Sequence, residues 1–191
     1  ATPFKTVADV IAAAKAKPGS LSYASAGNGN TMHIAAEQFK AQSGVDIAHI
    51  PYKGGPPALN DVMGGQVPMM FNNLPAIVEL VNAGKLRALA VGDARRAKQL
   101  PQVPTMEEAG LKGYSSIVWN GVLVRAGTPP EIVQYLSKQI AAALESPALK
   151  KPLEDQGFEV LSSTPEKFSA LMKSEYAAML PVVKNSGAKL D

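Results

Sequence analysis

The stretch from Leu21 to His33 constrains the fold more than any other part of the chain, because it combines a short strand, a glycine-rich turn and a helix start. Leu21 and Tyr23 alternate with small or polar neighbours, which favours a β-strand. Gly27 and Gly29 permit positive φ angles and carry no Cβ, so that backbone amides can approach a ligand closely. A strand, a turn and a helix in this order predict one βα unit of a parallel sheet.

The helix after the turn can be capped by Asn30 or Thr31. A helix N-terminus presents unpaired N–H groups and a partial positive charge, and it therefore attracts anions. We interpret the turn as a candidate site for a carboxylate. A plain βα connection, in which the glycines serve geometry alone, explains the same residues, and both interpretations stay open at this point.

Other motifs fit this turn poorly. A Walker A loop needs lysine after its last glycine, and Thr31-Met32-His33 supplies none. The dinucleotide fingerprint needs a small residue where Met32 stands, so a dinucleotide-binding enzyme is kept only as an alternative. Ser25 lacks the flanking glycines of a nucleophile elbow. The pair His33 and His49 lacks a distinctive metal-ligand spacing, and no metal is predicted.

Composition excludes several classes of function. The chain of 191 residues has no cysteine, which rules out thiol catalysis, disulfides and Cys-ligated zinc. The net charge is only +3, the basic residues are scattered and 6% of residues are aromatic, so no nucleic-acid partner is expected. No cofactor is predicted. No apolar run is long enough to span a membrane.

Alternating strands and helices predict an α/β fold with a mostly parallel sheet and flanking helices. A domain boundary is predicted between residues 1–112 and 113–191. The second part has too few strands to cover its amphipathic helices, so it is expected to be incomplete by itself. The strands predicted after Leu21–Tyr23 are Asp46–Pro51, Val67–Phe71, Leu86–Val91, Tyr114–Val124 and Phe158–Leu161. Helices are predicted to follow Thr6, Asn30, Pro57, Leu74, Pro104, Thr128-Pro129-Pro130-Glu131, Ser146 and Thr164.

A series of motifs along the whole chain closely resembles the Bug receptor family, the periplasmic solute-binding proteins of tripartite tricarboxylate transporters. The motifs are Tyr23-Ala24-Ser25-Ala26-Gly27-Asn28-Gly29, Pro51-Tyr52-Lys53-Gly54, Phe71-Asn72-Asn73-Leu74, Gly84-Lys85-Leu86-Arg87-Ala88-Leu89-Ala90-Val91 and Ala126-Gly127-Thr128-Pro129. The resemblance implies a periplasmic-binding-protein-like fold, with two lobes around a cleft that traps a small carboxylate. It also implies a periplasmic receptor, not an enzyme, which works with the membrane subunits of the transporter.

By position, the resemblance assigns residues 1–112 to a complete lobe two and residues 113–191 to the C-terminal part of an incomplete lobe one. The ligand-binding residues that it implies are Ser25, Ala26, Gly27, Gly29, Asn30, Thr31, His33, Asn72 and Trp119. For His33 a structural role is at least as plausible as ligand contact, and Trp119 could equally be core packing. His49 lies in mid-strand and is interpreted as structural.

Two departures from the family pattern matter. Family members begin with a further N-terminal stretch that forms most of lobe one, and that stretch is missing from this sequence. Members often have aspartate where Asn72 stands, and a neutral amide would suit a ligand oxygen better than a ligand amine. We therefore expect the apolar faces of residues 114–191 to be covered by a separate N-terminal segment, by folding back onto lobe two, or by a second copy that exchanges the Tyr114–Val124 strand. A folded fragment that binds nothing is a further alternative.

Overall fold

The structure of the chain is a computed structural model, and it describes residues 2–186, without the side chain of Asn185. The chain divides into two compact units. Unit 1 comprises the residues up to Val118 together with the chain from Val182, and unit 2 comprises Trp119–Pro181. The assignment of residues 1–112 and 113–191 to two receptor lobes stays a prediction.

Unit 1 is organised around a parallel sheet of three short strands, β1 (Ser22–Ser25), β2 (Ala48–Pro51) and β3 (Met69–Met70). The strand order is β2-β1-β3, so β1 is central. Tyr23 lies opposite His49 on one side and opposite Met69 on the other. After β1 the chain forms β2 on one side of β1 and then β3 on the other side of β1. The carboxyl ends of β1 and β3 therefore flank a topological switch point, where open α/β sheets bind ligands.

Seven helices complete the described part of the chain. Proline occupies the first turn of several of them, where its missing N–H is of no consequence. Thr6 and Asp9 form a reciprocal capping box at the first helix. The helices are α1 (Val7–Ala16), α2 (Thr31–Ser43), α3 (Gly55–Met63), α4 (Leu74–Asn82), α5 (Pro130–Glu145), α6 (Pro147–Asp155) and α7 (Pro165–Asn185).

The predicted α/β class with a parallel sheet and flanking helices is confirmed. Over residues 2–186, no helix has the length and apolar character that crossing a bilayer requires.

The main core of unit 1 lies between the sheet, α1, α2 and the segment that leads out of the unit. Its buried residues are Val7, Val10, Ala14, Tyr23, Ala36, Phe39, Val45, Ile47, Met106, Leu111 and Tyr114. Tyr114 fixes the last of these segments, because its buried hydroxyl donates a hydrogen bond to the carbonyl oxygen of Ala35 at 3.0 Å. This single bond joins α2 to residues far along the chain.

Replacing Tyr114 with phenylalanine is expected to lower the free energy of unfolding by about 0.5–1.5 kcal/mol, because it removes one buried hydrogen bond and keeps the ring. Urea unfolding measures the change. Tyr176→Phe is the matched control, since Tyr176 is 70% exposed in α7, and its stability should stay the same. Equal losses in the two variants would contradict the role given to Tyr114.

Several predicted strands do not form. Leu86–Val91 makes only one isolated parallel bridge, from Val91 to Thr105. Tyr114–Val124 and Phe158–Leu161 are not in strands either. A strand needs a hydrogen-bonded neighbour, and β propensity alone does not supply one. The helix predicted after Pro104 is a series of turns.

No capping box forms at the start of α5, although Thr128 and Glu131 have the spacing of one. Pro129 is the N-cap residue and provides no side-chain cap. The Thr128 hydroxyl instead donates to the carbonyl oxygen of Arg125 at 2.8 Å. The hydroxyl is therefore used in a turn that precedes the helix.

Unit 2 has no core of its own. Every residue of Trp119–Pro181 is described, and none is buried. The Trp119 and Phe168 rings meet edge to face, with centroids 5.1 Å apart. The apolar face of α5 carries Ile132, which is 45% exposed.

Candidate functional site

The loop from residue 26 to residue 30 joins β1 to α2 at the carboxyl edge of the sheet. Gly27 and Gly29 have φ angles of 134° and 72°, which side chains rarely tolerate. A β-carbon on Gly27 would lie 3.4 Å from the carbonyl oxygen of Tyr52. The two glycines are therefore required by the shape of this loop.

The side chains of Ser25 and His33 accept hydrogen bonds from two backbone amides of the loop. The Gly27 N–H donates to Ser25 Oγ at 3.1 Å, and the Ser25 hydroxyl donates to the Gly27 carbonyl at 3.0 Å. His49 Nε2 lies 2.6 Å from the same Ser25 oxygen. The Gly29 N–H donates to His33 Nδ1 at 3.0 Å. Each histidine thus reaches the loop, His33 directly and His49 through Ser25.

The two imidazoles form a stack with Tyr23. The His33 and His49 rings are 4.0 Å apart between centroids and nearly parallel, at 7°. The Tyr23 ring stacks on His49 at 4.9 Å. The Glu37 carboxylate lies beside this stack: its Oε1 accepts from the Tyr23 hydroxyl and from Lys40 Nζ, both at 2.8 Å, and lies 3.8 Å from His33 Nε2. Aromatic and polar groups from β1, β2 and α2 therefore support the loop together.

This environment keeps both histidines uncharged near neutral pH. Burial lowers the pKa of His49 to about 4, and the neighbouring His33 ring adds to that shift. Burial likewise lowers the pKa of His33, partly opposed by Glu37. Burial also raises the pKa of the Tyr23 hydroxyl, as does its hydrogen bond to Glu37. The Tyr23 hydroxyl is therefore a stable hydrogen-bond donor.

The start of α2 leaves several polar groups for a ligand. The Asn30 Oδ1 caps the helix by accepting from the His33 N–H at 2.9 Å, which confirms one of the two predicted caps. Its Nδ2 is buried and has no hydrogen-bond partner among the described residues. Within residues 2–186, the amides of Asn28, Asn30, Thr31 and Met32 donate to no other protein group. The Gly29 amide, which the sequence placed among the ligand donors, is already bound to His33.

Asn72 follows β3 after one intervening residue, Phe71, and lies at the same sheet edge as the loop after β1. Its Oδ1 accepts from the Asn73 N–H at 2.8 Å, and its Nδ2 lies 3.6 Å from Met70 Sδ. The structure thus brings the loop residues, His33 and Asn72 to the switch point of unit 1. Trp119 belongs to unit 2, where it contacts Phe168.

Comparison with known proteins decides the family. The family model described as tripartite tricarboxylate transporter family receptor, TctC, matches residues 1–188. The chain belongs to the TctC family. The predicted resemblance to Bug receptors is confirmed, because BugT of Bordetella pertussis is 36% identical over 181 residues, which cover 95% of this chain and 56% of BugT. The chain spans about half the length of the curated relatives it matches.

Solved structures of TctC type have the same fold. The structure of R. palustris Rpa4515 with adipate is 37% identical, with a TM-score of 0.89, and covers 98% of this chain and 63% of that one. MatC (Rpa3494) from Rhodopseudomonas palustris with bound malate is 27% identical, with a TM-score of 0.81, covering 95% and 63%. The periplasmic binding protein BugD is 31% identical, with a TM-score of 0.86, covering 98% and 64%.

The pairing of Ser25 with His49 does not make this TctC-family site resemble a hydrolase. Ser25 is wholly buried, so a substrate carbonyl cannot reach its hydroxyl. That hydroxyl already donates to the Gly27 carbonyl, which leaves His49 as the donor to Ser25. A nucleophilic serine needs the opposite arrangement, in which the histidine accepts its proton. The described residues also gather no group of three or more His, Asp or Glu side chains suited to a metal ion.

Proposed function

We propose that the chain is part of an extracytoplasmic receptor that captures a small di- or tricarboxylate, or a related organic acid, for a tripartite tricarboxylate transporter. The observation that carries this proposal is the set of unused amides at the start of α2, next to Asn72 at the sheet edge. Such amides and the helix dipole favour a negatively charged group. The structural relatives Rpa4515, with adipate, and MatC, with bound malate, support the same ligand class.

The remaining features of the receptor are part of the same proposal. Residues 1–112 would form lobe two and residues 113–191 the C-terminal part of lobe one. The site of action would be the periplasm, where the membrane subunits of the transporter would receive the ligand. The protein would bind its ligand without transforming it. Trp119 would contribute from the opposite lobe.

The rival proposal of a dinucleotide-binding enzyme has less support. Met32 stands where that fingerprint needs a small residue, and a β-carbon on Gly55 would lie 3.6 Å from Met32 Cε. The Met32 side chain thus stands where the dinucleotide turn needs a small residue for close packing of the helix on the strand. A folded fragment without binding activity is the other alternative, because the chain spans only part of its relatives.

Calorimetry with the purified chain separates these possibilities. The panel would contain adipate, malate, citrate, NAD and adipamide, the neutral diamide matched to adipate. We expect heat of binding with at least one carboxylate, none with adipamide and none with NAD. Binding of NAD would favour the enzyme, and silence across the whole panel would favour the inactive fragment.

Replacing Thr31 with alanine is expected to weaken carboxylate binding by about tenfold, the effect of losing one hydrogen bond to a charged group. The melting temperature should stay nearly the same, because the Thr31 side chain is exposed and Asn30 is the cap. Asn30→Ala is the matched control and should lose about 1 kcal/mol of stability with the cap. A drop in melting temperature for Thr31→Ala equal to that of Asn30→Ala would contradict a ligand role for Thr31.

A further inference from the structure

We propose that His33 is the positioning residue of the anion-binding loop: its unprotonated Nδ1 holds the Gly29 N–H, and protonation of the ring releases the loop and weakens anion capture. This inference rests on the proposed function. It concerns a side chain that need not touch the ligand at all.

One hydrogen bond between Gly29 and His33 fixes where the proton of the His33 ring lies. The donor is the Gly29 N–H, so His33 Nδ1 accepts and carries no proton. The single proton of the neutral ring is therefore on Nε2, which faces Glu37. A second proton could only be added at Nδ1, where it would oppose the Gly29 N–H. Protonation of His33 and the observed loop geometry are thus mutually exclusive.

The two side chains that hold the glycine amides, Ser25 at Gly27 and His33 at Gly29, are connected through His49. His33 is 3% exposed and stacks on His49, which lies against Ser25 and through it against Gly27. Two cationic rings at a 4.0 Å separation would repel each other in this buried place. A shift of the protonated His33 ring would also disturb the contact of His49 with Ser25, which holds Gly27.

Charged and polar groups from three elements surround the His33 ring. From α2, Glu37 favours a charged imidazole and Lys40 opposes it; from β1 comes the Tyr23 hydroxyl, and from β2 the His49 ring. The net effect lowers the pKa of His33, because burial outweighs Glu37. A released loop exposes the ring and restores its ordinary pKa. Loop order is therefore complete above the ordinary histidine range and is lost as the pH falls below it.

The test begins without any ligand. The chain has two histidines, so a pH titration by NMR resolves both imidazoles. The amide signals of Gly27 and Gly29 are followed in the same samples. We expect both amides to shift and to lose protection from solvent exchange at the midpoint of the His33 titration. Amides that stay unchanged while His33 titrates would overturn the proposal, whatever the protein binds.

Two substitutions separate positioning from general stability. His33→Asn can keep an acceptor at the place of Nδ1 but cannot be charged, and it should hold the Gly29 amide across the whole titration. His33→Ala removes the acceptor and should leave that amide exchanging freely even at neutral pH. Glu37→Gln is the control for the neighbouring carboxylate; it should move the transition to lower pH without abolishing it. A transition that survives in His33→Asn, or disappears in Glu37→Gln, would refute the assignment to His33.

Binding of adipate, measured by calorimetry, completes the test. At about pH 7.5, above the ordinary histidine pKa, His33→Asn should keep most of the binding, because it retains an acceptor for the Gly29 amide. His33→Ala should bind about tenfold more weakly, the factor for one lost hydrogen bond. At about pH 5, the unmodified protein should fall behind His33→Asn by several-fold. Because both proteins meet the same adipate, its own protonation cancels in the ratio. A ratio of the adipate affinities of the two proteins that is independent of pH would overturn the proposal.

No adipate binding at neutral pH, together with a normal amide titration, would count against the proposed function and not against the role of His33 in the loop.

Discussion

Replacing Tyr23 with alanine is expected to lower the free energy of unfolding by about 3–5 kcal/mol. The Tyr23 ring is wholly buried at the centre of β1. It stacks on His49, and it meets the Phe71 ring edge to face, with the ring centroids 6.3 Å apart. The substitution leaves a cavity on this face of the sheet. Glu37 also loses the hydrogen bond that it accepts from the Tyr23 hydroxyl. Urea unfolding followed by circular dichroism measures the loss.

Tyr23→Phe separates the two contributions of this side chain. It keeps the ring and removes the hydroxyl, so it should cost about 1.5–3 kcal/mol, the range for a hydrogen bond to a charged group. Glu37 keeps Lys40 as its second partner. Tyr176→Ala, at a residue 70% exposed, should change stability by less than about 0.5 kcal/mol. If Tyr23→Ala cost no more than Tyr23→Phe, the ring would not be a centre of the core. The alanine variant should also bind adipate more weakly, because the histidine stack loses its support.

Local sequence signals predicted the elements that build the site. Asn30 caps α2 because a short polar side chain can reach the amide three residues on, and that rule needs no knowledge of the remaining fold. The glycine turn after β1 was predictable for the same reason, since Gly27 and Gly29 take φ angles that other residues avoid. Thr6 and Asp9 are a further example of a local signal that the structure uses.

Contacts that depend on strand register could not be predicted. His33 and His49 meet because β1 and β2 pair with Tyr23 opposite His49. The residues of β1 and β2 do not by themselves indicate that register. The mid-strand position of His49 favours a structural role, but it does not reveal the contact of His49 with Ser25. The strand prediction for Leu86–Val91 failed for the related reason that a β-rich sequence does not reveal whether a partner strand is available.

The second large effect is expected from the exposed apolar side chains of unit 2. Val122 and Leu123 are 68% and 69% exposed, and Ile132 is 45% exposed on α5. Leaving a large apolar side chain in water costs roughly 1.5–3 kcal/mol relative to burying it. A contiguous group of such side chains marks an interaction surface. We therefore expect the chain to associate with a second copy through unit 2, with an apparent mass that rises toward twice the monomer value as concentration increases.

Exchange of residues 117–124, the exposed part of the Tyr114–Val124 segment, between two copies is the form of association that we predict. Residues 117–124 are exposed and belong to no strand, so their backbone groups are available for pairing with another chain.

Light scattering at several concentrations tests the association, and mass spectrometry tests whether another polypeptide accompanies the chain. Glutamate at both Ile132 and Leu136 should prevent the association, because charges in an apolar contact remain unpaired. Met63→Glu is the matched control on α3 of unit 1, where Met63 is 39% exposed, and it should associate normally. A monomer at every concentration, with the α5 amides strongly protected from hydrogen exchange, would show that unit 2 buries these side chains by itself. A companion polypeptide in the sample would replace the second copy as the partner of this surface.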